Sequence, residues 1–242
     1  MRYSPSLLLC LVLFRVVLQA SNRIGYDMIG WLHTKLFEQS VTEAYSVRLK
    51  QQGSNARGVF WASRLSQHAR FDHALLLLQA KWHNKAKICD IGCGYGALYE
   101  FMAKTPRYQA LGYHGIDINK DMVAACFQLF GHTAPFSCDR KPPTMVDVGV
   151  YIGTFNLCHA NSYTLWQYYI LNQLRKSWDK CRFGIVLNIT SKPSPQIHNQ
   201  IFYAEPKGFA ELLKQHFGQS VHIQTHSTRY VDNDSTFVIS RR

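Results

Sequence analysis

Several things are scarce in this 242-residue chain, and each scarcity excludes something. The seven cysteines, Cys10, Cys89, Cys93, Cys126, Cys138, Cys158 and Cys181, form no C-x-x-C pair and leave an odd one over. That argues for reduced thiols and against a disulfide framework. Convergent Cys/His spacing is missing too, so the eleven histidines give no metal site. Acids are few, 15 against 27 Lys and Arg, for a net charge of +12. Such a balance favours acidic partners such as RNA or anionic membrane. The basic residues nevertheless form no run of five or six and no RNA-module signature, so a basic solvated surface is the simpler account, and nucleic acid stays a partner on charge alone. The strongly apolar stretch Ser6 to Ala20 is too short to span a bilayer comfortably. It reads either as a secretory signal, with Leu18-Gln19-Ala20 meeting the cleavage pattern in part, or as an uncleaved amphipathic helix that packs on the protein or touches membrane. No internal repeat or low-complexity segment appears, and oligomeric state is not readable.

What is present describes a globular protein with one sizeable core: 47% hydrophobic and 13% aromatic residues. Helical spacing runs from Gly25 to Gln52, and Gln51-Gln52-Gly53-Ser54-Asn55 resembles a linker. The expected organisation is therefore a helical extension over residues 1–57 and a main domain over residues 58–242.

The most informative stretch is Lys87-Ile88-Cys89-Asp90-Ile91-Gly92-Cys93-Gly94-Tyr95-Gly96-Ala97-Leu98. A short apolar strand turns on three alternate glycines into a helical pattern. Gly92, Gly94 and Gly96 let backbone approach a ligand, and the following helix offers its first N–H groups to a polar one. A second strand, Gly112 to Asp117, ends in an acid 21 positions after Gly96, about the interval at which nucleoside-binding α/β units place a ribose acceptor. The glycines also satisfy the dinucleotide pattern G-x-G-x-x-A. Asp90 decides against it, because an acid at that strand end would repel a pyrophosphate and welcome a cationic head group.

Asp90-Ile91-Gly92-Cys93-Gly94-Tyr95-Gly96 resembles the first motif of the class I S-adenosylmethionine-dependent methyltransferases, and Gly115-Ile116-Asp117-Ile118-Asn119 resembles their second. The resemblance implies a Rossmann-like doubly wound α/β fold, with a mostly parallel seven-stranded sheet and an antiparallel last strand. It implies S-adenosylmethionine as cofactor, held by Asp90, Gly92, Gly94, Gly96, Asp117, Ile118 and Met122. Asp139, after the third strand, would bond the adenine amino group. Between Asp139 and the next strand, Val146 to Ile152, too few residues remain for the usual helix. Trp61 to Phe71 is similar to a segment that helps close over the cofactor in a bacterial branch of the family. By plain chemistry Arg70 or Gln67 could bond the cofactor carboxylate, and Trp61 could wall the site.

The fourth strand ends in Gly153-Thr154-Phe155-Asn156, like the family's Gly-x-Phe-Asn tip. Gly153 is expected at the cofactor. Tyr151, Phe155, Asn188 and Phe202 should frame an acceptor pocket, with Asn156 and Tyr203 positioning the acceptor. Aromatic walls suit a small, partly apolar molecule better than a polynucleotide. The sequence has no Asn-Pro-Pro-Tyr or Asp-Pro-Pro-Tyr after the fourth strand, which fits poorly with base methylases of DNA. The expected activity is methyl transfer to an unidentified small molecule, in the cytoplasm because the cofactor is intracellular; secretion or membrane attachment through residues 6–20 is the alternative. Two rival functions are an NAD-dependent oxidoreductase and a non-catalytic module that binds RNA or a partner enzyme.

Overall fold

In the computed structural model, residues 34–160 and 162–242 are described. The candidate signal or membrane-touching segment, residues 6–20, lies outside them. Among the described residues no helix is long and apolar enough to cross a membrane. Residues 34–52 are helical (α1). The compact unit begins at Val41 and runs to Arg242, so the expected boundary at 57/58 falls inside it. Gln51 to Asn55 is no extended linker: Gly53, at φ 76°, donates to the Leu49 carbonyl, and Asn55 caps a 3-10 turn at Ala56–Val59.

The remaining elements follow in order: α2 (Arg64–Lys81), β1 (Lys87–Ile91), α3 (Ala97–Lys104), β2 (Gly112–Asp117), α4 (Lys120–Phe130), β3 (Phe136–Cys138), β4 (Val146–Ile152), α5 (Tyr163–Trp178), β5 (Cys181–Thr190), β6 (Gln196–His198), β7 (Ile201–Tyr203), α6 (Pro206–Phe217), β8 (Val221–Ser227) and β9 (Asp234–Arg241). Seven strands form one sheet in the order β3-β2-β1-β4-β5-β9-β8, and β6-β7 is a separate hairpin. Strands β3, β2, β1, β4 and β5 run parallel to one another, whereas β9 runs antiparallel to both β5 and β8. Strand order reverses between β1 and β4. Ligands bind at such a point, at the carboxyl ends of the strands.

Each strand's alternation assigns its side chains to one helical layer. Every residue of β4 is buried, as a central parallel strand covered on both faces requires. Val148, Val150 and Ile152 join the core under α2 and α3 with Leu75, Leu78 and Leu98. Tyr151 points the other way, to α5. Each fully buried aliphatic contributes about 1.5–3 kcal/mol, so this two-sided core fixes which side chains can reach the strand tips. The β3–β4 connection is residues 139–145 without a helix. It must pass three strand spacings, about 14 Å at ~4.8 Å each. Seven extended residues reach about 23 Å, so the crossover closes without one.

Candidate functional site

The strand-to-helix turn after β1 is shaped by backbone. Gly92, Gly94 and Gly96 have φ of 80°, 56° and 83°, a region that costs other residues strain. Their reasons differ. A Cβ on Gly92 would lie 2.4 Å from Thr154 Cγ2, and one on Gly96 would lie 2.7 Å from the Phe130 ring, so both glycines serve close packing. Gly94 alone faces relatively open space, its nearest neighbour being Val59 Cγ1 at 3.4 Å. It marks the surface where a ligand can lie on backbone. No side chain caps α3, whose N-cap is Gly96, so the helix start stays available to a polar ligand.

Two carboxylates flank this turn. Asp117, at the tip of β2, accepts from the backbone N–H of Asn119 (2.8 Å) and of Gly94 (2.9 Å), which locks the second motif to the first. Burial raises its pKa, and those backbone hydrogen bonds oppose the rise. Asp90, one strand over, is buried, with the Tyr113 hydroxyl donating to Oδ2 at 2.8 Å. Among the described residues no Lys or Arg pairs with it. Burial pushes its pKa up to about 7, Tyr113 pulls it down and the Asp117 charge adds to the rise. A buried carboxylate without a cation is costly, and a cationic ligand laid on Gly94 would supply the missing charge. The residues therefore fit S-adenosylmethionine. They do not fit the pyrophosphate of a dinucleotide.

Residues 41–61 cover the same end of the sheet. Asn119 Nδ2 donates to the Thr42 carbonyl and to Ser46 Oγ, both at 3.0 Å, tying α1 to the loop after Asp117. Tyr45 packs edge-on against Phe60 at 5.2 Å and feels the Asp117 charge, which together with burial drives its pKa up. Val59 stands over Gly94, and Trp61 sits against Gly153, where a Cβ would lie 2.6 Å from Cζ2 of the indole. Thr154 closes the floor by donating from Oγ1 to the Ile91 carbonyl at 2.8 Å, joining the tips of β1 and β4. Sequence reasoning missed Tyr45, Val59 and Thr154. The first two lie at or beside the supposed linker, and their signal was only an apolar spacing.

The other expected cofactor residues are dispersed. Gly153 lies at the tip of β4 beneath Trp61, and Ile118 is half-buried beside Asp117. Met122 is buried in the main core. Asp139 donates its N–H to the Asp117 carbonyl, but its Oδ2 takes the Ser137 hydroxyl at 2.6 Å, and Ser137 Oγ lies 2.9 Å from His114 Nε2. Arg70 has partners within the fold. It is paired with buried Asp234, Nε to Oδ2 at 2.6 Å, and its guanidinium lies 4.8 Å over the Trp61 ring. Gln67 is likewise buried, accepting from the Tyr95 hydroxyl at 3.2 Å.

The expected acceptor wall is corrected. Tyr151 faces α5, donating to the Gln173 carbonyl at 3.2 Å and sharing a hydrogen bond with Ser177 at 2.6 Å. Phe155 stacks on Tyr151 at 5.2 Å inside the core. Phe202 is fully buried and stacks on Tyr163 at 4.7 Å. Asn156 Oδ1 accepts from Thr190 N–H (3.0 Å) and Thr190 Oγ1 (3.2 Å), so it clamps the β4 loop to β5. Asn188 is fully buried in a polar cluster with Asp234, Thr228 and Thr236. Tyr203 lies on the β6-β7 hairpin under the Lys192 ammonium at 4.3 Å. These side chains hold the far half of the sheet together. Alternation sent Tyr151 to the α5 layer, and the strand-tip motif could not tell which face it would take.

A protein of Mycobacterium tuberculosis (strain ATCC 25618 / H37Rv), whose methyltransferase name is itself an inference, is 30% identical over 138 residues, 55% of this chain and 82% of that protein. The chain belongs to the class I S-adenosylmethionine-dependent methyltransferases. No family model matches it. Among solved structures, a S-adenosylmethionine-dependent methyltransferase from Leishmania major shares the fold at a TM-score of 0.59 with 10% identity, over 84% of this chain and 82% of that one. Magnesium protoporphyrin IX methyltransferase from Synechocystis PCC 6803 with bound S-adenosylmethionine does so at 0.51 with 17% identity, over 74% and 81%. Methyl transfer from S-adenosylmethionine is the activity of the family to which the chain belongs, in agreement with the two motifs.

Proposed function

We propose that this methyltransferase acts on a small molecule that reaches the methyl group beside Gly153 and Trp61. The observation that carries this is the cover formed by residues 41–61. Tyr45 near Asp117, Val59 over Gly94 and Trp61 against Gly153 leave a roofed site rather than an open track for a polymer. The +12 charge supports electrostatic attraction to anions, but a polynucleotide would need a continuous basic groove leading to the methyl.

Bound on Gly94, the cofactor supplies a methyl group on a sulfonium, already a good leaving group. The protein's share is alignment and exclusion of water. Asp117 would hold the ribose hydroxyls with the lone pairs its backbone donors leave over, and Asp90 would balance the positive end. Thr154 keeps the tips of β1 and β4 in register, which would fix the surface on which donor and acceptor are aligned. A cytoplasmic site of action follows from where the cofactor is available.

The test incubates the protein with methyl-tritiated S-adenosylmethionine and separated host fractions. Label should enter solvent-extractable small molecules. Label confined to RNA or protein would overturn this reading and leave the cofactor assignment standing.

A further inference from the structure

The pair Arg70–Asp234 calls for an explanation that stability does not provide. Its partners come from α2 and from the start of β9, 164 residues apart, and their side chains are 10% and 0% exposed. Burying such a pair costs desolvation that its attraction barely repays, so it is weak evidence for stability. Both oxygens of Asp234 are committed, Oδ2 to Arg70 Nε at 2.6 Å and Oδ1 to Asn188 Nδ2 at 2.5 Å. Asn188 is itself braced by Thr228 Oγ1 at 3.2 Å and Thr236 Oγ1 at 3.1 Å. Arg70 Nη1 donates to the Ser66 carbonyl at 3.3 Å, so the guanidinium plane is set from two sides. The guanidinium carbon lies over the Trp61 ring, 4.8 Å from its centroid, and the far edge of the indole is what a Cβ on Gly153, at the tip of β4, would meet. Phe71 packs edge-on from α2 at 6.5 Å.

We propose that Arg70 is a positioning residue, pinned by Asp234 and Asn188, that holds the Trp61 indole against Gly153 as the wall on the methyl side of the site. A planar guanidinium does this where an ammonium would not, because it stacks on a ring and hydrogen-bonds in its own plane at the same time. The wall then distinguishes a ligand that carries the methyl from one that lacks it. The inference rests on the Gly92 to Gly96 turn being the cofactor cradle.

The experiment is calorimetric titration of the full chain with S-adenosylmethionine and with S-adenosylhomocysteine, which lacks the methyl and its positive charge. Wild-type protein binding neither ligand would overturn the cradle itself, and with it this inference. In Trp61→Ala the affinity for S-adenosylmethionine should fall at least fivefold while that for S-adenosylhomocysteine stays within about twofold. Arg70→Leu should reproduce that selective loss, and the double variant should be no worse than either single one. Arg70→Lys, which keeps the charge, and Asp234→Asn, which keeps the size, should show the same selectivity to a smaller degree. They supply the answer if Arg70→Leu does not fold. Equal losses for both ligands in Trp61→Ala, or additive losses in the double variant, would overturn the proposal.

Discussion

The two halves of the strand-tip surface are built in different ways. At β1 and β2 the work is done by backbone: three left-handed glycines, the Gly94 N–H on Asp117, and carboxylates fixed within one continuous stretch, residues 90–117. At β4, β5 and β9 side chains do it, drawn from Trp61, Arg70, Asn188 and Asp234. A backbone-built surface leaves a local imprint on sequence, since a left-handed turn favours glycine and a strand-end acid has a fixed interval from it. A side-chain surface assembled across the fold leaves none.

The largest effect should come from breaking the backbone half at its one ligand-facing glycine. Gly94→Val puts a branched side chain at φ 56° into the cradle, and should weaken S-adenosylmethionine binding by at least about 100-fold, ~2.7 kcal/mol, in a titration. Asp117→Ala comes next, weakening binding by about 1.5–3 kcal/mol through loss of hydrogen bonds to a charged acceptor. Unchanged affinity in that variant would remove Asp117 from the ribose.

A third effect concerns Asp90 and sharpens the electrostatic side of the comparison. Its folded pKa, about 7, is raised above the ordinary carboxylate value. The ligand-free protein therefore keeps the stability of the protonated form below about pH 4, and loses it as pH climbs through 4 to 7. A cationic ligand favours the ionised form, so affinity for S-adenosylmethionine should rise with pH by up to about tenfold per unit below 7 and level off above. Asp90→Asn should flatten that profile. The smallest effect belongs to the far half, where Tyr151→Phe removes the hydroxyl held by Ser177 and Gln173. Thermal unfolding should report a loss of about 1 kcal/mol, with cofactor affinity unchanged.

This contrast also explains what could be read in advance. The sheet, its antiparallel end, the strand at Val146–Ile152 and the short β3–β4 crossover were legible because hydrophobic period and glycine position are local signals. So were the positions of Asp90 and Asp117 near the carboxyl ends of β1 and β2. The cover was not, because the turn at Gly53 looks like a linker until Asn55 is seen to cap the next turn and Asn119 to grip Thr42 and Ser46. The packing of the expected acceptor wall was hidden for a related reason. Aromatics at strand tips are equally good core, and only the packing of α5 and α6 decided that Tyr151, Phe155 and Phe202 belong there.

The account stands or falls on what the Gly94 surface holds. Calorimetric titration of the full chain with S-adenosylmethionine, and separately with NAD, measures this directly: one molecule of S-adenosylmethionine should bind per chain and NAD should give no heat. Binding of NAD with comparable affinity, or no binding of S-adenosylmethionine at pH 8, would contradict it.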